Sequence, residues 1–518
     1  MKNTSILAGY AVFETVVVFF FTLLIARYLG PTDFGRLGWA LSYALLTSVW
    51  SDPGIGYAMT KLVATSHGDR QLEYVANGLS LRLILTVAVF LLSLVPFAFV
   101  PYMRANAMVI LLVLVSEHMR NVALYFCMVF RGHQQNKFEA FALGTERLGA
   151  LLLAWPLLHM GFGLYTVAWV YVAARGTSLL VAVISNVRTF GWRPLGLDRT
   201  LFQRIKLETM PLAVLIICER MNMYLPPIFV KAFAKFYAAR FYAGAVSSDV
   251  IARLGDTQLG MFQAAFKSIY PAVLMCVAVA GSLYAPMAER FQADPAESAR
   301  LYRGGLRGLL HLILPAAVIT LFLSPQFIIV LYGPEYVESA RIVRWLTAYF
   351  VSISFIALNH LFMPAINRQR VVGAVSLISV VVNVALGMAF ISRWGAEGAG
   401  MSLAVAQVVI AFVYVAMARR FGKAGLAPRE WFTMAAAFLL AAGALYLVRP
   451  YMPGPGVASL LARFASARHL VMLQALVEVL EGTALSVSIY LGVLLGLRGV
   501  SPEERQLFRA VARRLTPA

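Results

Sequence analysis

Again and again along this chain, a stretch of about twenty apolar residues ends in a cluster of glycine, proline or charge and then starts over. A backbone placed in hydrocarbon must satisfy its own polar groups, so such stretches fold as helices that cross a bilayer. Fourteen can be read, near residues 6–26, 37–59, 79–99, 107–130, 140–160, 163–185, 210–230, 258–283, 308–331, 344–363, 371–392, 398–418, 431–449 and 470–497. The second is interrupted by Asp52, Pro53 and two glycines. Composition agrees: 60% of the 518 residues are apolar and 13% are charged, against about 25% charged in soluble domains. A soluble enzyme, a secreted scaffold and a disordered chain are excluded. The fold class is an all-α polytopic membrane protein.

The net charge of +20 would suggest nucleic acid in a soluble chain. Here it reads as retention of basic loops on the cytoplasmic side, and no nucleic-acid partner is expected. With the amino terminus inside, 25 basic residues fall in inner segments, 13 in outer ones and six within spans. Both termini are therefore expected in the cytoplasm. The run from Ile6 to Ala26 lacks an A-x-A cleavage site and reads as the first span rather than a signal peptide. Cys127, Cys218 and Cys276 are scattered in apolar runs and offer neither a disulfide framework nor a metal set. There is no P-loop, and no cofactor is expected.

Expected boundaries follow from the loops. Residues 1–197 form a first six-helix lobe and 198–425 a second, with the basic segment Asn186 to Glu208 as the seam. Residues 426–500 add a helix pair, and 501–518 form an amphipathic tail on the inner membrane face. Asp294-Pro295-Ala296-Glu297 and Ser501-Pro502-Glu503-Glu504 both read as capped helix starts. Residues 231–257 place Phe233, Phe236, Tyr237 and Phe241 on one helical face and Lys231 and Lys235 opposite, as in an interfacial helix on the outer side.

Several short motifs occur in order. Ala26-Arg27-Tyr28-Leu29-Gly30-Pro31 is followed by Asp33-Phe34-Gly35-Arg36, then by Asp52-Pro53-Gly54-Ile55-Gly56. Further along come Leu259-Gly260-Met261-Phe262, Ala285-Pro286-Met287-Ala288-Glu289-Arg290, Leu331-Tyr332-Gly333-Pro334-Glu335-Tyr336, Asn383 and Gly395-Ala396-Glu397-Gly398-Ala399. Over roughly residues 6–420 this set resembles the polysaccharide-export and oligosaccharide-flippase family of the multidrug/oligosaccharidyl-lipid/polysaccharide exporter superfamily; the 231–257 segment departs from the family pattern. The resemblance implies two lobes of six helices around a cavity that opens alternately to each side, lined by the first, second, seventh and eighth spans. It also implies an undecaprenyl-diphosphate-linked oligosaccharide as cargo, carried from the cytoplasmic to the periplasmic leaflet of a bacterial inner membrane. Partner assembly proteins of polysaccharide, O-antigen or exopolysaccharide synthesis would follow from that role.

Charges at bilayer depth are expensive and mark functional candidates. Arg220 and Lys267 each lie nine positions into their spans, from opposite sides, and Glu14 eight positions into the first. At about 1.5 Å per residue all three approach the midplane. Arg220 and Lys267 are candidates to grip a diphosphate, with a permanent pair to Glu14 or Glu219 as the competing structural reading. Arg147 and Arg175 extend a basic track. Glu14, Asp52 and Glu219 are candidates for coupling to a proton or sodium ion. Glu117 and Arg120, three apart on one face, are expected to satisfy each other. Glu146 and Arg147 are adjacent and are not expected to pair, and Arg82 is expected to snorkel to the inner face. His118, His311 and His360 are lone histidines on separate spans. A membrane polymerase or glycosyltransferase would need catalytic groups on substantial outer loops, which are short here. A drug/cation antiporter would favour acids within its spans, where bases predominate.

The charge asymmetry sets a testable topology. Reporter fusions after His67, Arg199 and the last residue should report cytoplasm, and fusions near Asp33 and Ala396 the outer side; a periplasmic carboxyl terminus would contradict the span count.

Overall fold

The computed structural model describes residues 2–242, 247–452 and 467–497. Among them, every regular element is helical. Numbered along the chain they are α1 (Lys2–Ser48), α2 (Ile55–Ala64), α3 (Asp69–Leu94), α4 (Pro96–Phe99), α5 (Pro101–Ala105), α6 (Ala107–Gly132), α7 (Asn136–His159) and α8 (Leu164–Phe190). There follow α9 (Arg199–Ala232), α10 (Ala234–Phe241), α11 (Ser248–Ala293), α12 (Pro295–Phe322), α13 (Ser324–Tyr332), α14 (Ser339–Ala365), α15 (Gln369–Gly422), α16 (Pro428–Val448) and α17 (Ala467–Gly496). The expected tail at 501–518 lies outside the described residues.

Twelve helical stretches among the described residues are long and apolar enough to cross a membrane. Two of them, within α1 and α15, are each broken by one glycine. Gly30 sits at φ 70° and Gly395 at φ 58°, a region that side chains avoid. Pro31 follows the first break and starts a new turn without needing a donor. With these breaks, twelve become the fourteen apolar segments expected. The interruption at Asp52-Pro53-Gly54 is also present: a 3₁₀ turn over Val49–Ser51 precedes it, and Gly54 at φ 93° begins α2. Asp294 caps α12 by accepting from Ala296 N at 2.9 Å, with Pro295 at the first helical position, as expected. Asp198 caps α9 through Thr200 N at 2.8 Å.

Two compact units are present, Met1–Lys267 with Arg370–Ser402, and Ser268–Gln369 with Leu403–Ala518. In the first, α2, α3, α6, α7 and α8 bury a core that includes Met59, Leu62, Val63, Phe126 and Phe130. In the second, α12, α16 and α17 close around Val318, Ala437, Ala441, Leu445, Tyr490 and Leu494. Within the first unit the turns after the expected first, third, seventh and eleventh spans meet at one end, through Arg36, Tyr102, Lys231, Asp256 and Ala396. Those after the second and sixth meet elsewhere, where Asp198 N donates to Asn77 Oδ1 at 2.9 Å and Arg193 Nη1 to Asp69 O at 3.3 Å. This grouping is what strict alternation of crossings requires.

The 231–257 stretch differs from the single interfacial helix expected. It comprises the end of α9, the eight-residue α10 and the start of α11, with residues 243–246 outside the described set. Phe236 and Phe241 are exposed, but Tyr237 is buried and donates to Val230 O at 2.8 Å. Lys235 is exposed and Lys231 is buried against Asp256. α11 is 46 residues long, about 69 Å at 1.5 Å per residue, and so carries the outer segment as a continuation of a span.

Arg82 does not snorkel. It is fully buried, donating to Ser51 O at 3.0 Å and Asn121 O at 2.8 Å and pairing with Asp52 at 2.8 Å. Asn121 Nδ2 in turn donates to Ser48 O at 3.2 Å. The broken end of the second span exposes carbonyls that no helix can satisfy, and a buried guanidinium supplies the donors. A snorkelling Arg82 would make Arg82→Ala mild; held as it is by Asp52, its removal costs about 3–5 kcal/mol, as for one member of a buried pair. Arg82→Ala should lower the melting temperature of the purified protein and its amount in the membrane; unchanged values would contradict this role.

Candidate functional site

The densest charge cluster in the membrane-spanning part lies in the first unit and draws on four helices. Glu146 of α7 is about 2% exposed. Its Oε1 receives Arg120 of α6 at 3.3 Å, Arg147 of its own helix at 3.2 Å and Arg175 of α8 at 3.7 Å. Arg175 also pairs with Glu117 at 2.9 Å and donates to Ser116 Oγ at 2.8 Å. Arg147 reaches Glu14 of α1 at 2.7 Å. Three acids and three arginines thus close a neutral network. Glu146 Oε2 has no hydrogen-bond partner among the described residues. A small cavity lined by Val17, Phe21, Glu146, Arg147, Tyr171 and Arg175 adjoins it.

Two expectations are corrected here. Glu117 and Arg120 do not satisfy each other; each pairs across helices, with Arg175 and Glu146. Adjacent Glu146 and Arg147 do pair, because the long guanidinium stem curls back while its other nitrogens hold Glu14. His118, next in sequence to Glu117, is buried with neither ring nitrogen paired among the described residues and packs edge-on to Phe90 at 5.5 Å.

Of the residues proposed from sequence, Glu14, Arg147 and Arg175 join this network, and Asp52 holds Arg82. Arg220, Glu219 and Lys267 stay outside it. Arg220, half-buried, donates to Tyr224 Oη at 3.4 Å and faces its ring at 5.9 Å. Lys267, also half-buried, has its ammonium 5.5 Å from the Phe34 ring. No carboxylate among the described residues pairs with either. The competing structural reading is not what the described residues show: Glu14 is taken by Arg147, and no ion pair of Glu219 is found among them. Close by in sequence, Asn222 Nδ2 donates to Ser379 Oγ at 3.2 Å and Asn383 Nδ2 to Asn222 O at 3.1 Å.

A second cluster escaped the sequence reading altogether. Asp256, about 1% exposed, accepts from Lys231 Nζ at 2.6 Å and Tyr102 Oη at 2.8 Å on Oδ1. On Oδ2 it accepts from Arg36 Nε at 3.1 Å, and Arg36 Nη1 donates to Asp33 at 3.0 Å. The ammonium of Lys231 also lies 3.9 Å from the Tyr102 ring centre. Burial, and then the neighbouring Asp256 carboxylate, push the Tyr102 phenol well above its usual range, so it stays a donor. Beside this cluster α1 and α11 touch backbone to backbone. A Cβ on Gly35 would sit 1.8 Å from Asp256 O, and one on Gly260 1.9 Å from Pro31 O. Thr32 and Thr257 hydroxyls bond across the seam at 2.9 Å, and Gln263 Nε2 reaches Ser42 Oγ at 3.3 Å. The signal available in the sequence was the small-residue stripe Gly35, Gly38 and Ser42 facing Gly260.

Comparison with known proteins adds the following. The family model described as polysaccharide biosynthesis protein matches residues 1–292, and the one described as lipid II flippase MurJ matches residues 234–465. Among solved structures, lipid II flippase MurJ in an inward closed conformation is similar at a TM-score of 0.69 and 12% identity, covering 94% of this chain and 99% of that one. An inward-facing multidrug resistance MATE family transporter of the MOP superfamily is similar at a TM-score of 0.59 and 14% identity, covering 79% of this chain and 94% of that one. At such identities the likeness is one of fold. No curated protein matches in sequence.

The network predicts unequal costs. Glu146→Gln leaves three guanidiniums, that of Arg175 buried and those of Arg120 and Arg147 half-buried, with no carboxylate at their centre and should cost about 3–5 kcal/mol, read as loss of folded protein on size-exclusion chromatography. Glu14→Gln removes one partner of Arg147, which keeps Glu146, and should cost markedly less; equal losses would contradict the hub.

Proposed function

The chain belongs to the polysaccharide biosynthesis protein family, and from that premise we propose that it flips an undecaprenyl-diphosphate-linked oligosaccharide from the cytoplasmic to the periplasmic leaflet of a bacterial inner membrane. One observation carries the anionic cargo: Arg220 and Lys267 lie deep in spans with no carboxylate partner among the described residues. A cation left at that depth without a counter-charge is costly, and a diphosphate headgroup would supply the missing charge. Arg220 offers a bidentate fork and Lys267 a point charge.

The assignment divides the basic residues by their occupancy. Arg147 and Arg175 are held by Glu14, Glu146 and Glu117, so they serve the cargo only through exchange of partners. In this reading Glu219 is the strongest candidate for a coupling proton or sodium ion, since Glu14 and Asp52 hold arginines. Its lobes are 1–197 and 198–425, with both termini in the cytoplasm. The protein acts as a transporter and catalyses no covalent step. A cation antiporter is the second reading, favoured by the exposed and unpaired Glu219 alone.

Deleting the protein should leave complete lipid-linked repeat units facing the cytoplasm, whereas altered repeats would favour a polymerase. Arg220→Ala and Lys267→Ala should each reduce flipping about tenfold or more, the worth of a charge-assisted hydrogen bond, at normal membrane levels. Arg220→Lys should retain part of the activity. Reconstitution into liposomes with fluorescent lipid-linked oligosaccharide checks this, and full activity of the double alanine variant would refute the headgroup role.

A further inference from the structure

The donor set of the Asp256 cluster has a chemistry of its own. A guanidinium from α1, an ammonium from α9 and a phenol from α5 converge on one carboxylate that is almost wholly buried. Three donors from three elements around a single anion make a cradle suited to phosphoryl oxygens as well as to a carboxylate. We propose that Asp256 is a resident stand-in for the cargo's phosphoryl group, and that the headgroup takes the cradle of Arg36, Lys231 and Tyr102 as α11 withdraws. The proposal rests on the anionic lipid-linked cargo argued above.

Charge balance makes the exchange specific. Asp33 and Asp256 neutralise Arg36 and Lys231 when α1 and α11 are in contact. Were α11 to withdraw alone, Lys231, which also donates to Ala252 O at 2.6 Å, and Arg36 would be left with one carboxylate between them. Losing one partner of a buried pair is strongly unfavourable, so the seam resists opening while no anion is at hand. An arriving phosphoryl group replaces Asp256 charge for charge and removes that cost. At Gly35 and Gly260 the two backbones are in contact, and packed interfaces are bistable rather than continuously deformable. The seam therefore opens at this end when cargo is present and stays shut when it is not.

The test uses inorganic pyrophosphate as the probe and the purified full chain in nanodiscs of neutral lipid. Asp256→Asn should bind pyrophosphate saturably by titration calorimetry, about tenfold or more tighter than the unaltered protein, and adding Lys231→Gln should abolish the gain. Asp256→Asn that binds no better than the unaltered protein, or binding that survives Lys231→Gln, overturns the cradle. Should Asp256→Asn not fold, the Thr32→Cys/Thr257→Cys protein, otherwise unaltered, gives a second reading. Its two thiols should oxidise to a disulfide more slowly with pyrophosphate present, and an unchanged rate overturns the proposal. Flipping of lipid-linked oligosaccharide is scored separately: active flipping with no cradle binding discards the cradle and keeps the function. Cradle binding in a protein that flips no such lipid overturns the exchange step and with it the cargo assignment.

Discussion

An ionised side chain in hydrocarbon must bring its own counter-charge, and the first unit is organised by that requirement. Its deep charges are paired mainly across helices, the adjacent Glu146 and Arg147 of α7 apart. Glu146 gathers arginines from α6, α7 and α8, and Glu14 extends the same network to α1. Lipid tails are as apolar as leucine, so burial alone drives helix association weakly in a membrane. Cross-helix ion pairs supply what burial cannot: they fix which helices are neighbours and in which register.

The helical architecture was legible because its rule is one-dimensional. Length and apolarity mark a span, and glycine with proline marks a break, so Gly30, Asp52-Pro53-Gly54 and Gly395 could be placed from the chain alone. The pairings were not legible, because they depend on helix neighbours and on rotamers. Glu117 and Arg120 share a face, yet each has a better partner on another helix. Arg82 was misread because its depth suggested a route to water, while the decisive fact was the carbonyl of Ser51 at the broken helix end, to which Arg82 donates along with Asn121 O. Asp256 was missed for the same reason. Its meaning lies in three donors that are 25 to 220 residues away in sequence, Lys231 nearest and Arg36 farthest.

The structure sorts the basic residues of the spans by what already holds them. Arg82 satisfies backbone and Asp52; Arg120, Arg147 and Arg175 satisfy carboxylates; and Arg220 and Lys267 meet aromatic side chains, Arg220 with a hydrogen bond to the Tyr224 hydroxyl, among the described pairings. A ring face offsets a desolvated cation only partly, by about 2 kcal/mol, which is well short of the cost of a buried charge. The first two groups are consistent with permanent architecture. The third lacks a counter-charge among the described residues, and the anionic headgroup proposed above would supply it.

The same reasoning explains why glycine and charge occur together where α1 meets α11. Glycine at 35 and 260 lets the two backbones come within contact distance, and that closeness is what sets Asp256 within 3.1 Å of Arg36. With a side chain at either glycine the helices would stand apart and the carboxylate would lose its guanidinium. Close packing without the ion pairs would give a seam indifferent to charge, and ion pairs without close packing would leave hydrated, screened groups of little worth. Joined, they make an interface that Asp256 holds shut, and that on the proposal above opens when a cargo anion takes the place of that carboxylate.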